Sequence, residues 1–308
     1  NVRVGAHVVK VANAAEAPAA LDLQSAALRH LAAVAPELAL PRLVEPGVLC
    51  HEGHLVRAVT WLPGTPYAEA AHTSTLRASL GAFMGRMSAA LQGFGHPAAH
   101  QPEFLWNLDR AQAVRPWVAD ITDTDGSHDA ALAEAVFARH EREVVPRLPL
   151  LRGAVIHADA NDWNVLTDGH RVAGLIDFGD MVWARQVNEL AITLAYALLD
   201  VNDVVAAATD VISAYHTEFP LLADEMDVLW DLVATRLAMS LAISSHRSRE
   251  HPDNAYLLVS QLPVRRLLRR IVASKPGFLR AAARAAVGLA PVSAEPEITF
   301  WLASADCH

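Results

Sequence analysis

Two polar loops set close together constrain this chain more than any other feature. VIHADANDWNVL (Val155 to Leu166) and GLIDFGD (Gly174 to Asp180) carry His157, Asp159, Asn164 and Asp177, with short apolar runs on both sides of each loop. Runs of that length and branching read as strands. The four polar side chains therefore stand on two loops separated by one hairpin. Phosphoryl transfer needs such a set: one carboxylate to meet a hydroxyl, and an amide oxygen with a second carboxylate to hold Mg against nucleotide phosphates. A pair of Asp- and Asn-rich turns that only cap strands would use the same residue types. The complete spacing favours the site.

Bulk properties narrow the partners. With 25 basic and 34 acidic residues the net charge is −9, which argues against a nucleic-acid partner and is compatible with a cationic small molecule. A hydrophobic fraction of 53% with 19% charged residues belongs to a globular chain, and 308 residues suffice for a sizeable core. The longest apolar run, Leu190 to Leu199, is too short to span a bilayer, so no membrane association is expected. Cys50 and Cys307 are the two cysteines and lack metal-type spacing, which implies a reduced, cytoplasmic setting. The chain opens on Asn1 rather than Met, and a preceding segment is expected.

Along the chain, Val2 to Ala12 reads as one strand ending near Lys10, and Ala14 to Ala33 as a helix with Leu21, Leu28 and Leu31 at helical spacing. Pro41 to Pro66 breaks into two or three antiparallel strands, stopped by Leu62-Pro63-Gly64. Helices are expected over 75–93, 129–145, 186–199, 204–217, 224–245 and 254–272, followed by an irregular end. The fold class is thus α+β: a small antiparallel-sheet N-lobe at 1–66 and a larger, mostly helical C-lobe at 67–308. Gly81 and Gly85 suggest close helix packing. Arg265, Arg266, Arg269 and Arg270 read as one solvated helix face.

H-x-D-x-x-x-x-N followed by I-D-F-G resembles the aminoglycoside phosphotransferase and choline kinase superfamily. The phrase HADANDWNVL…GLIDFGDMVWARQVNELAITLAYAL resembles most the hydroxylysine kinase branch. It is also similar to kinase domains fused to class III aminotransferase-like domains. The resemblance implies a two-lobed, protein-kinase-like fold and a kinase using ATP or GTP with Mg. Asp159 would orient and deprotonate the acceptor, and Asn164 and Asp177 would hold the metal. His157, grouped with Asp159, reads as an anchor bonding backbone near Asp177. Lys10 would hold the nucleotide phosphates. The family pairs that lysine with a helix glutamate; the helix rhythm here puts Gln24 there, with Asp22 nearby. Backbone near Ala58, Val59, Thr60 and Trp61 would meet the purine edge.

The phosphate-covering glycine loop has no counterpart between Asn1 and Lys10 and is expected to precede Asn1. Ala158 stands where protein kinases have Arg, and the Ala-Pro-Glu of Ala35 to Glu37 lies far upstream of Asp177, where it cannot close an activation segment. A protein acceptor is therefore disfavoured. The resemblance points to an amino alcohol or hydroxylated amino acid. Asp180 and Glu189 could meet its ammonium, Arg236 a carboxylate, and Trp183 the face of a cation. An antibiotic phosphotransferase is the alternative within enzymes. A catalytically silent nucleotide-binding domain is the alternative of another class.

Overall fold

The computed structural model describes residues 1–13, 16–123, 128–251, 261–292 and 294–305. It starts with an antiparallel hairpin where one strand was expected. β1 (Val2–Val4) turns at Gly5 and Ala6 into β2 (His7–Val11), because Gly5 takes φ +58°, open to a residue without a Cβ. β3 (Leu49–His51) and β4 (His54–Thr60) complete a four-stranded sheet in the order β1-β2-β4-β3. Leu43 adds an isolated bridge to Val59. Helix α1 (Pro18–Val34) starts on its proline, a residue that fits the first helical turn, and buries Leu21, Leu28 and Leu31 as the spacing implied.

The chain leaves this sheet through Leu62 to Gly64. β5 (Thr65–Pro66) then pairs with β7 (Val165–Thr167), which pairs with β8 (Val172–Leu175). β6 (Gly153–Ile156) pairs instead with β9 (Val182–Arg185), a strand the sequence did not announce. The two polar loops lie at the ends of these small sheets: one joins β6 to β7, the other β8 to β9.

Helices pack around them: α2 (Ser74–Leu91), α3 (Asp129–Arg139), α4 (Val187–Ala197), α5 (Val204–Glu218) and α6 (Ala223–Glu250). The Thr73 hydroxyl caps α2 by accepting the Leu76 N–H at 3.2 Å. The helix expected to run to Val145 ends as α3 at Arg139, widens into a π turn and then tightens into a 3-10 segment, where Pro146 and Pro149 forbid regular helix. Every residue of α4 is buried, so it crosses the middle of the helical region. Of the helix expected from Asn254, the stretch up to position 260 lies outside the described residues, and the remainder is α7 (Gln261–Ala273). The end is not irregular among the described residues, since α8 (Pro276–Ala286) and α9 (Glu295–Ala305) follow. No helix among the described residues is long and apolar enough to cross a membrane.

The arginines of α7 do not form a solvated face. Arg265 is buried and donates to Asp129 at 2.6 Å, Arg269 donates to the same carboxylate at 2.7 Å, and Arg266 reaches Asp200 at 2.7 Å. Asp129 starts α3 and is itself buried, so the cluster pins α7 to α3.

The two glycines of α2 sit where α5 crosses it. A Cβ on Gly85 would come within 2.7 Å of the Tyr215 carbonyl oxygen, and one on Gly81 would meet the Val211 carbonyl. Backbone cannot yield as a flexible side chain can. Gly81→Ala is expected to destabilise the protein by about 1–3 kcal/mol, the range for overpacking, measured by urea denaturation. An unchanged midpoint would mean that α2 and α5 can separate at no cost.

Candidate active site

The bend after β6 takes the chain through His157 and Ala158, the latter at φ +64°, an uncommon conformation for a residue with a side chain. Glu189, in the first turn of α4, holds that bend. Its Oε2 accepts the backbone N–H of His157 at 2.6 Å and that of Ala158 at 3.3 Å. Glu189 is buried, and the removal of water pushes its carboxyl up to about 7 against the pull of the two amides. It therefore does not face an acceptor, contrary to the sequence expectation. The His157 ring is also fully buried, edge-on to Phe178 at 4.8 Å, and its Nδ1 accepts the Asp159 N–H at 3.3 Å. Burial lowers its pKa to about 4, so it is a neutral support rather than a proton carrier.

Asp159 emerges from this bend with its side chain 20% exposed. Asn164 donates to its Oδ2 at 2.6 Å and to its backbone oxygen at 2.9 Å. Asn161 donates to Oδ1 at 3.0 Å while its own oxygen accepts the amides of Trp163 and Asn164. Sequence reasoning overlooked Asn161; an Asn two residues after the loop carboxylate, able to close an Asx turn, was the available signal. Burial raises the Asp159 carboxyl to about 7; Arg236 pulls it down and Asp180 pushes it further up. A carboxylate poised there suits proton abstraction near neutral pH.

Arg236, on α6, is the counter-charge. Its Nη2 lies 3.4 Å from Asp159 Oδ1, its Nε donates to the Tyr196 hydroxyl at 3.3 Å, and its guanidinium lies 4.4 Å above the Trp106 ring. It does meet a carboxylate, but the protein's own. Asp180 points into the same polar region and makes no side-chain hydrogen bond among the described residues; burial raises its pKa while Arg236 opposes the shift.

Asp177, at φ +63°, faces the first sheet. Lys10 on β2 donates to its Oδ1 at 3.2 Å. Burial pushes the Asp177 carboxyl up, the Lys10 ammonium and the His157 ring oppose this, and the net is a pKa below the usual carboxylate value. Gln24 is not the partner of Lys10. It is buried on α1, accepts a hydrogen bond from Arg57 Nη2 and donates to Glu16 at 3.3 Å. Nothing local in the sequence marks Arg57, whose place is set by the β2–β4 register.

Between Lys10 and the second loop lies a cleft of about 350 Å³, lined by Val8, Val59, Leu166, Ile176 and Phe178 among others. Val59, Thr60 and Trp61 line it, and Ala58 does not. Part of this backbone is already used: Ala58 O accepts from Val44, Thr60 N–H donates to Arg42 O, and Trp61 N–H donates to Ala6 O. The Trp61 carbonyl and the Leu62 amide have no backbone partner among the described residues. Trp183 lies outside both regions. On β9, Val182 and Ala184 turn inward, leaving Trp183 stacked on His100 at 5.6 Å and seated against Gly153.

Residues 1–226 match the phosphotransferase enzyme family. The chain belongs to that family. It is 28% identical to mouse (Mus musculus) hydroxylysine kinase over 222 residues, which are 68% of this chain and 58% of that protein. It thus spans under two thirds of that relative's length. A zebrafish (Danio rerio) hydroxylysine kinase is 28% identical over 290 residues, covering 87% of this chain and 80% of that protein. Among solved structures, a microcompartment-associated aminopropanol kinase shares the fold with a TM-score of 0.64 at 17% identity, covering 87% of this chain and 86% of that one. The kinase-like α+β fold and the membership of the phosphotransferase family expected from the loop motifs therefore hold.

The Glu189 contact yields a prediction with a definite sign. Its folded pKa, about 7, lies above its ordinary value of 4.5, so the folded state holds more protons than the unfolded one between those values. Its contribution is therefore greatest below about 4.5 and is lost as pH rises to about 7. Thermal melts from pH 4.5 to 7.5 should show wild type losing stability relative to Glu189→Gln as pH rises. Parallel curves would contradict the assignment.

Proposed function

We propose that this chain is a small-molecule kinase that moves the γ-phosphoryl group of ATP or GTP to a hydroxyl of an amino alcohol or hydroxylated amino acid of the hydroxylysine type. One observation carries the reading: Asp159, Asn164 and Asp177 converge beside an apolar cleft that ends at Lys10. The acceptor O–H would give its proton to Asp159 as its oxygen bonds to the γ-phosphorus. The bond from that phosphorus to the bridging oxygen would break, and the nucleoside diphosphate would leave.

The residues present fit Mg. Asn164 spends its amide N–H groups on Asp159, its side-chain oxygen accepts no hydrogen bond among the described residues, and Asp177 adds a carboxylate. Oxygen donors in that small number suit Mg, which keeps waters and phosphate oxygens as its other ligands. When bound it would neutralise charge on the phosphates. Lys10, now on Asp177, would turn to the phosphates as a point charge. Arg236 orients Asp159 and balances its charge, and Asp180 is the carboxylate left for an ammonium.

The acceptor class is supported by two hydroxylysine kinase relatives and by the kinase-like neighbour that acts on aminopropanol. An aminoglycoside acceptor is the second reading. It is favoured by an open groove of about 670 Å³ beside the first loop, lined by Asp162, Asp200 and Asp203 together with Trp163. Set against Arg77, three carboxylates leave this wide space net acidic, which suits a polycation.

Mg-dependent phosphate transfer from ATP and from GTP should be assayed with hydroxylysine, ethanolamine, choline, homoserine and several aminoglycosides. Turnover with one hydroxylated amine is expected, with kcat lowered roughly 10²- to 10⁴-fold in Asp159→Ala, the usual contribution of a general base. Turnover with aminoglycosides alone would select the second reading. Nucleotide binding without any acceptor-stimulated turnover would point to a silent domain.

A further inference from the structure

Lys10 and Arg57 face each other directly across the antiparallel pair β2–β4. Their side chains leave the same side of the sheet, and both line the cleft. Like charges directly opposed on neighbouring strands disfavour pairing, so this side of the sheet needs compensating anions. Lys10 has Asp177 at 3.2 Å. Arg57 has no comparable partner: it makes no salt bridge among the described residues, and its one hydrogen bond goes from Nη2 to the neutral side chain of Gln24. Its Nε and Nη1 are buried and meet no acceptor among the described residues.

Arg57 is only 6% exposed. A guanidinium has five N–H donors and stays charged, so burying it with most of them unused is costly. Glu16 and Asp177 lie near enough to favour the charge, yet burial prevails and lowers its pKa. The pocket shared by Lys10, Arg57, Gln24, Glu16, Asp177 and Gly179 therefore holds a cation without a bonded anion. A phosphate group beside Lys10 would supply one.

We infer that Arg57 is a second phosphate ligand of the nucleotide, donating from its unused nitrogens to phosphate oxygens next to Lys10. This rests on reading the cleft as the nucleotide site. Arginine and lysine differ in the way such a pair requires, since the guanidinium offers several directed donors and the ammonium a compact charge. The role also explains Gln24. A glutamate there would neutralise Arg57, whereas the amide holds one nitrogen by a hydrogen bond and leaves the charge for the ligand.

Calorimetric titration of the whole chain with ADP, in parallel with adenosine, tests this. In Arg57→Gln, ADP affinity should fall about tenfold or more, as for loss of charge-assisted phosphate bonds, with adenosine affinity unchanged. Gln24→Glu should weaken ADP in the same selective way while leaving the sheet and α1 joined. Unchanged ADP affinity in Arg57→Gln would overturn the inference. So would an equal loss of ADP and adenosine, which would make Arg57 a prop for the fold. A wild type that binds adenosine but not ADP would refute the phosphate site, and one that binds neither would refute the nucleotide reading beneath it.

Discussion

The Lys10–Asp177 contact is the point on which the two halves of the site depend. It joins the first sheet to the loop after β8 across 167 residues of chain, with a separation of 3.2 Å between Nζ and Oδ1. Asp177 is half-exposed in this pair, and an ion pair open to water is worth only about 0–1 kcal/mol. A contact that weak aligns the cleft and can be exchanged. Metal on Asp177 and phosphate on Lys10 would satisfy both charges better than they satisfy each other.

Beneath that contact the loops rest on buried polar support. Glu189 anchors the bend at Ala158, His157 braces the Asp159 amide, and Arg236 sits between Asp159, Tyr196 and the Trp106 ring. Each of these groups is expensive to bury alone and tolerable when bonded. Their effect is to fix where the Asp159 carboxylate points before any ligand arrives. Preorganisation of this kind places a reacting group without loss of freedom at the moment of reaction.

The sequence disclosed the loops because phosphoryl transfer demands its residues at short, fixed spacing, and most helices because their apolar stripes repeat locally. It disclosed much less wherever the partner is distant in the chain. Gln24 was matched to Lys10 through helix rhythm, but the β2–β4 register puts Arg57 beside it instead. The pairing of 42–44 with β4, which uses Ala58 O and the Thr60 N–H, leaves no local trace in the sequence. Glu189 could have been recognised as internal: it is the lone acid in a helix whose every residue is buried. Trp183 could have been set aside by the alternation of Val182 and Ala184.

The most direct measurement is the Mg dependence of ADP affinity in wild type and in Asp177→Asn. If Asp177 leaves Lys10 to hold a metal against nucleotide phosphates, Mg should strengthen ADP binding by wild type and have little effect on the variant. A variant that keeps the full Mg enhancement would contradict the assignment of Asp177 and the organisation of the site around it.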